Sequence, residues 1–250
     1  MAIAGEIEPV SHAIFADTRW EPTPVYEHMQ KLTVLAEDAG IQVHIVSAGD
    51  IRADALDASK RFASMPLHVR NKDGGDAMAR RQCTNEYKLQ PILKKERELA
   101  GLKKGQRCTE HRITTLIGIS LDELGRMRDP AFPWIVNEYP LVDARMTRND
   151  CHEYHRKRQL PDPPRSACLG CPYHSDAEWR NIKYNDAAGW ADVVDFDERI
   201  RQGDVADRLY EGRAYLHSKR IPLSVVDFST EEDRGQGTLF DNDCVGMCGL

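Results

Sequence analysis

The chain has 250 residues, 41% hydrophobic and 30% charged, with a formal net charge of −6 at pH 7. That length holds one large or two small domains, and the balance is that of a folded globular protein. It argues against a general nucleic-acid coat protein while leaving room for a local basic patch. No apolar run approaches the roughly 20 residues that cross a bilayer. The first residues lack the basic-then-apolar order of a signal peptide. The expected compartment is therefore the cytoplasm, with no membrane partner. In a reducing compartment, seven cysteines point to metal binding or thiol chemistry and away from structural disulfides.

Residues 12–17 (HAIFAD) are a short apolar run ending in an acid. They predict a buried strand that presents Asp17 and Thr18 at its C-terminal end. Residues 24–39 carry Val25, Met29, Leu32, Leu35 and Ala36 on one helical stripe, with Pro24 in the first turn and Gly40 at the C-terminal cap. Residues 43–47 (VHIVS) predict a second strand. Strand, helix and strand in this order predict an α/β sheet of parallel strands. Residues 63–82, with Pro66, Gly74 and Gly75, read as a loop ending in Arg80-Arg81. A helix is expected over about 85–100 with a stop at Gly101, and a third buried strand over 113–119. Thr147 is the expected N-cap of a helix over 147–158. Pro161, Pro163 and Pro164 then break the chain, and 175–201 read as mainly helical with Trp179 and Trp190 in the core. Residues 229–243 are a polar arm that delivers the last two cysteines. The division is 1–145, an α/β nucleotide-binding-like domain; 146–228, a helical region; and 229–250, a C-terminal arm.

Cys168 and Cys171 form a CxxC, and Cys244 and Cys248 a CxxxC. Two sulfurs so spaced hold one metal ion or two corners of a cluster. Zinc is the plainer alternative. The other cysteines come singly from distant parts of the chain, which suits an iron–sulfur cluster held between elements. Cys83, Cys168 and Cys171 are the first three expected ligands. The fourth is Cys244 or Cys248, and whichever is not a ligand is the candidate catalytic thiol. Cys108 and Cys151 lack a supporting motif, and core packing is the reading for Cys151. Arg80, Arg81 and Lys88 surround Cys83 in sequence. Arginine forks and a lysine point charge suit a phosphate or sulfate, the alternative being a solvated charge run. Arg126 either binds an anion or pairs with Asp122 or Glu123 on its own helix. His174 reads as a surface residue, the alternative being that it tunes a cluster by bonding to a sulfur.

Several blocks in order resemble the phosphoadenosine phosphosulfate reductase-like family of the adenine nucleotide alpha hydrolase (PP-loop) superfamily. They are Phe15-Ala-Asp17-Thr18-Arg19-Trp20-Glu21-Pro22, Cys83-x4-Lys88-x2-Pro91, the stretch from Gly118 to Arg126, Tyr139-Pro140-Leu141, the acid Asp150, Leu160-Pro161-x-x-Pro164 before the CxxC, and the terminal Cys248-Gly249-Leu250. The resemblance implies a Rossmann-like parallel sheet of PP-loop (HUP) type, with a helical C-terminal part. It implies a 4Fe–4S cluster and sulfur transfer or reduction on a nucleotide-linked substrate held by Asp17, Thr18, Arg80, Arg81, Lys88 and Arg126. ATP or another adenine nucleotide is the implied small-molecule cofactor, and an electron- or sulfur-donor protein the implied partner. Two departures stand out. Residues 1–12 contain no Ser-Gly-Gly-x-Asp-Ser-like turn, so the family's first strand and loop are expected to be missing from this stretch. Gln82 also precedes a single Cys83 where cluster-bearing reductases carry two adjacent cysteines. The alternatives are ATP-dependent thiolation of DNA or tRNA, and a non-catalytic or partner-dependent cluster protein that binds nucleotide or nucleic acid.

Overall fold

A computed structural model describes residues 1–60, 65–202 and 212–230. Strand β1 (His12–Ala16) leads into helix α1 (Thr23–Asp38) and strand β2 (Gln42–Val46). The two strands pair in parallel, with His12 opposite Gln42 and Ala16 opposite Val46. The crossover stops where its sequence says it should. Gly40 takes φ +79°, and the Gly40 and Ile41 amides donate to the carbonyls of Glu37 and Ala36. This is a Schellman closure, which favours a residue without a Cβ. The apolar stripe of α1 is only partly used: Val25 and Ala36 are buried, whereas Leu32 and Leu35 are exposed.

Helix α2 (Ile51–Leu56) starts at Asp50, whose carboxylate accepts from the Arg52 and Ala53 amides. Residues 63–82 are not a plain loop. Strands β3 (His68–Asn71) and β4 (Asp76–Met78) form an antiparallel hairpin within them. Its turn is set by Asp73, which accepts from the Gly75 amide, and by Gly74 at φ +85°. The helix expected over 85–100 is present in two parts, a π-turn (Thr84–Leu89) running into α3 (Gln90–Leu99). Pro91 has no N–H to return to the preceding turn, and the wider π-turn absorbs that gap.

Strand β5 (Ile113–Leu116) pairs in parallel with β6 (Ile135–Glu138). A short helix α4 (Pro140–Asp143) is followed by α5 (Arg148–Lys157), which opens on a reciprocal capping box between Thr147 and Asp150. The region after the CxxC folds into α6 (Asp176–Asn185) and α7 (Ala187–Arg199), then β7 (Gly212–Tyr215), which lies antiparallel to β3. The molecule is thus mixed α/β, with two separate parallel pairs and one three-stranded antiparallel sheet of order β4-β3-β7 among the described residues.

The main core crosses the 145/146 boundary. Trp20, Ile51 and Leu67 pack with Trp179, Phe196 and Leu216, and Trp190 packs against the rim. Asp197 is fully buried there. It accepts from the Leu216 and Leu223 amides and pairs with Arg201 at 2.8 Å, which ties α7 to β7 and the segment beyond. A smaller core joins Leu102, Trp134 and Ile135 beneath β5 and β6. No helix among the described residues is long and apolar enough to cross a membrane.

Candidate functional site

The site begins where β1 ends. Arg19 adopts φ +60°, a left-handed turn that only a few per cent of non-glycine residues take. It carries Trp20 and Glu21 into the core. Asp17 fixes this turn by accepting from the Arg19 amide at 2.7 Å and from the Tyr26 hydroxyl at 2.9 Å. Its carboxylate is engaged in the architecture of the turn.

The CxxC docks directly onto this turn. The Leu169 amide donates to the Trp20 carbonyl at 2.6 Å, and the Cys171 amide to that of Cys168 at 2.9 Å. Gly170 lies flat on the indole: a Cβ at this position would sit 2.1 Å from Trp20 Cη2. The indole is itself held by Asp192, 2.7 Å from Nε1, and by a tilted contact with Phe196. His174 is buried, not at the surface. Its Nε2 lies 3.1 and 3.2 Å from the Cys168 and Leu169 carbonyls, so it secures the turn's backbone. Burial, then the charge of Arg165, push its pKa down to about 4, which keeps the ring neutral with the proton on Nε2.

Thr18, Glu21, Lys88 and Cys168 form a connected polar network beneath the CxxC. Thr18 Oγ1 is 3.1 Å from Glu21 Oε1 and 3.2 Å from Cys168 Sγ. Lys88 Nζ lies 3.3 Å from the same Glu21 oxygen. Burial, reinforced by the Glu21 charge, pushes the Cys168 thiol up to about 12. The neutral thiol therefore donates to Thr18, whose single proton goes on to Glu21. When Cys168 loses its proton, the hydroxyl is free to turn back toward the sulfur, and Lys88 still neutralises Glu21. Burial alone would lower the lysine's pKa. Glu21, Cys168 and Cys83 together outweigh it and raise the pKa, so Lys88 stays charged.

Cys83 and Lys88 are brought together by the π-turn. Cys83 is its N-cap and Lys88 lies near its end. The i to i+5 repeat of a π-turn places these two positions closer to one face than an α-helix would. Cys83 and Cys168 pack against the same core, alongside Trp20, Tyr87 and Leu169. Arg81 stands at the rim, donating to Thr84 and lying over the ring of Tyr173, two residues after Cys171. Arg80 is exposed. Arg126 is engaged with Glu123 at 2.6 Å, and Glu123 also meets Arg148, which is the helix-pair alternative for this arginine. Cys108 bonds to the Glu110 carbonyl beside the smaller core, and Cys151 is half-buried on α5.

The structure therefore gathers Thr18, Lys88, Cys83, Cys168 and Cys171, with Arg81 at the edge. Cys244 and Cys248 lie outside the described residues. Among the described residues, no three His, Cys, Asp or Glu side chains already stand close enough to hold a single metal ion. The donor chemistry is that of a thiolate site: Cys83 and Cys168 pack on one core beside a lysine that stays charged, and Cys171 follows Cys168 in the same turn.

Glu21 is the residue that sequence reading missed. Its side chain has no exposed surface, and Oε2 is buried without a hydrogen-bond partner among the described residues. Glu21 lies within the block over residues 15–22, but nothing in that block gave it a role. Trp20 and Gly170 were likewise readable only as neighbours of the motifs they lock together. Comparison with protein-family models, with curated proteins and with solved structures returns no match.

Proposed function

We propose that this chain is an iron–sulfur-cluster protein of the phosphoadenosine phosphosulfate reductase-like family, with a PP-loop-type α/β sheet. On this reading it acts in sulfur transfer or reduction on a nucleotide-linked substrate. One observation carries the proposal: Cys83 and Cys168, 85 residues apart in sequence, pack on one core, Lys88 feels the charge of both, and Cys171 follows in the turn of Cys168. Cys83, Cys168 and Cys171 would hold three corners of a 4Fe–4S cluster, and Cys244 or Cys248 the fourth. The bound cluster supplies electrons or sulfur.

The chain's own residues do the rest. Lys88 offsets the negative charge of the thiolates. Thr18 gives the buried Cys168 sulfur a hydrogen-bond partner in either protonation state, and Glu21 accepts the Thr18 proton while the thiol is neutral. Arg81, pinned by Thr84 and Tyr173 beside the cysteines, offers a guanidinium fork to a sulfate or phosphate. The test is metal content across single variants. Cys83→Ser, Cys168→Ser and Cys171→Ser should each lose iron, whereas Cys108→Ser and Cys151→Ser should keep it. Retention of full iron by Cys83→Ser and Cys168→Ser would sink the reading. Stoichiometric zinc in the wild-type chain would replace the cluster with a zinc site.

A further inference from the structure

The two parallel pairs leave a slot between them. Its volume is about 1590 Å³, and it is lined by Ser11–Ile14 of β1 and its approach on one side and by Ile113–Gly118 of β5 and its exit on the other. Helix α3 packs against both β1 and β2, and its Glu96 accepts from Thr115 of β5 at 2.8 Å. One helix therefore floors both pairs. Residues of α5, Cys151, Tyr154 and His155, line the slot as well.

The hydrogen bonds show which main-chain groups face it. In β1, the Ser11 carbonyl and the Asp17 amide bond to β2 or its flanks. N–H and C=O groups alternate sides along a strand. Those of His12, Ile14 and Ala16 therefore point to the opposite edge. In β5, the Ile113 and Ile117 amides bond toward β6, to Trp134 and Glu138. The groups of Thr114 and Leu116 consequently turn away from β6. Two strand edges thus present main-chain donors and acceptors to one apolar slot, and each belongs to a two-stranded pair of marginal intrinsic stability. The lining includes Ile92, Leu93 and Leu141, the carboxylates of Glu8, Glu96 and Glu138, and neither lysine nor arginine.

We propose that this slot is a docking site for one extended aliphatic β-strand with basic flanks, supplied by a separate polypeptide. The strand pairs with both the β1 and β5 edges and joins the two pairs into one five-stranded sheet. The apolar walls select the aliphatic side chains, the unpaired edges select extended backbone, and the carboxylates select the basic flanks. This rests on the sheet geometry and is independent of the cluster.

The test uses the full chain and a synthetic peptide of five Val/Ile/Leu residues between lysines, followed by hydrogen–deuterium exchange. Protection of His12, Ile14, Ala16, Thr114 and Leu116 should rise by about tenfold or more, while the β3 amides stay unchanged. A peptide with a central proline should bind at least about tenfold more weakly, because proline cannot donate. So should the lysine-flanked peptide to a Glu8→Lys, Glu138→Lys variant, whose two positions are exposed and safe for folding. Protection of only one edge, or of neither, would overturn the proposal. Equal binding of the proline peptide would also overturn it, showing mere apolar adsorption. Concentration-dependent protection of the same amides without peptide would overturn it in favour of a second copy of this chain.

Discussion

Gly170→Ala is the most exacting probe of how the CxxC is positioned. The new methyl would lie 2.1 Å from Cη2 and 2.5 Å from Cζ3 of Trp20, far inside van der Waals contact. The ring cannot give way at low cost: it is 5% exposed, its Nε1 is 2.7 Å from Asp192, and its centroid is 4.6 Å from that of Phe196. Overpacking of this kind costs about 1–3 kcal/mol. Shifting the indole would also weaken its hydrogen bond to the Asp192 carboxylate, which places the loss in the upper part of that range, about 2–3 kcal/mol. For a chain of this size that lowers Tm by about 4–12 °C. The assay is urea unfolding followed by tryptophan fluorescence, with Gly125→Ala as control. A Cβ at Gly125 meets nothing within 4 Å, so its effect should stay within about 0.5 kcal/mol. A Gly170→Ala loss below about 0.5 kcal/mol, with unchanged metal loading, would refute the docking of the CxxC on Trp20.

Three further outcomes follow from the same geometry. Lys88→Met strands a Glu21 carboxylate that has no exposed surface. The loss should be about 2–3 kcal/mol, below the usual cost for a fully buried pair because Lys88 is itself 30% exposed. Adding Glu21→Gln should recover part of it in a double-mutant cycle, whereas strict additivity would contradict the pairing. His174→Ala leaves the Cys168 and Leu169 carbonyls without their ring donor, a loss of about 1–3 kcal/mol in urea unfolding; no change would remove its bracing role. His68 has its pKa lowered from 6.5, by burial first, with Arg220 and His217 adding to it against the Pro172 carbonyl contact. Its folded form resists protonation, so the unfolded chain binds the extra proton. Stability should therefore fall as pH drops below about 6.5, with a shallower slope in His68→Gln; identical slopes would rule out this contribution.

Local signals made part of the fold legible in the sequence. The apolar run at His12–Ala16, Gly40 after α1, and Thr147 with Asp150 at α5 each encode their element within a few residues, and each appears where expected. The hairpin of β3 and β4 was hidden because its strands are only four and three residues long. Strand β7 was hidden because its pairing with β3 is purely long-range. Cysteine spacing and neighbouring motifs singled out Cys83, Lys88, Cys168 and Cys171. What they did not disclose was the internal wiring. Glu21 is one unassigned member of the block over residues 15–22 until Lys88 and Thr18 are seen to converge on it. His174 reads as a surface residue until Trp179 and the CxxC carbonyls enclose it. The slot between β1 and β5 has no sequence signature, because it depends on which strand edges remain unpaired after folding.

The most direct test of the central claim is the iron and acid-labile sulfide content of the full chain, purified without oxygen and kept in reductant. The cluster reading predicts brown protein with about four iron atoms and about four sulfides per chain, lost together in Cys168→Ser. Folded, colourless protein that carries one zinc per chain, or that takes up no iron on anaerobic reconstitution, would contradict it.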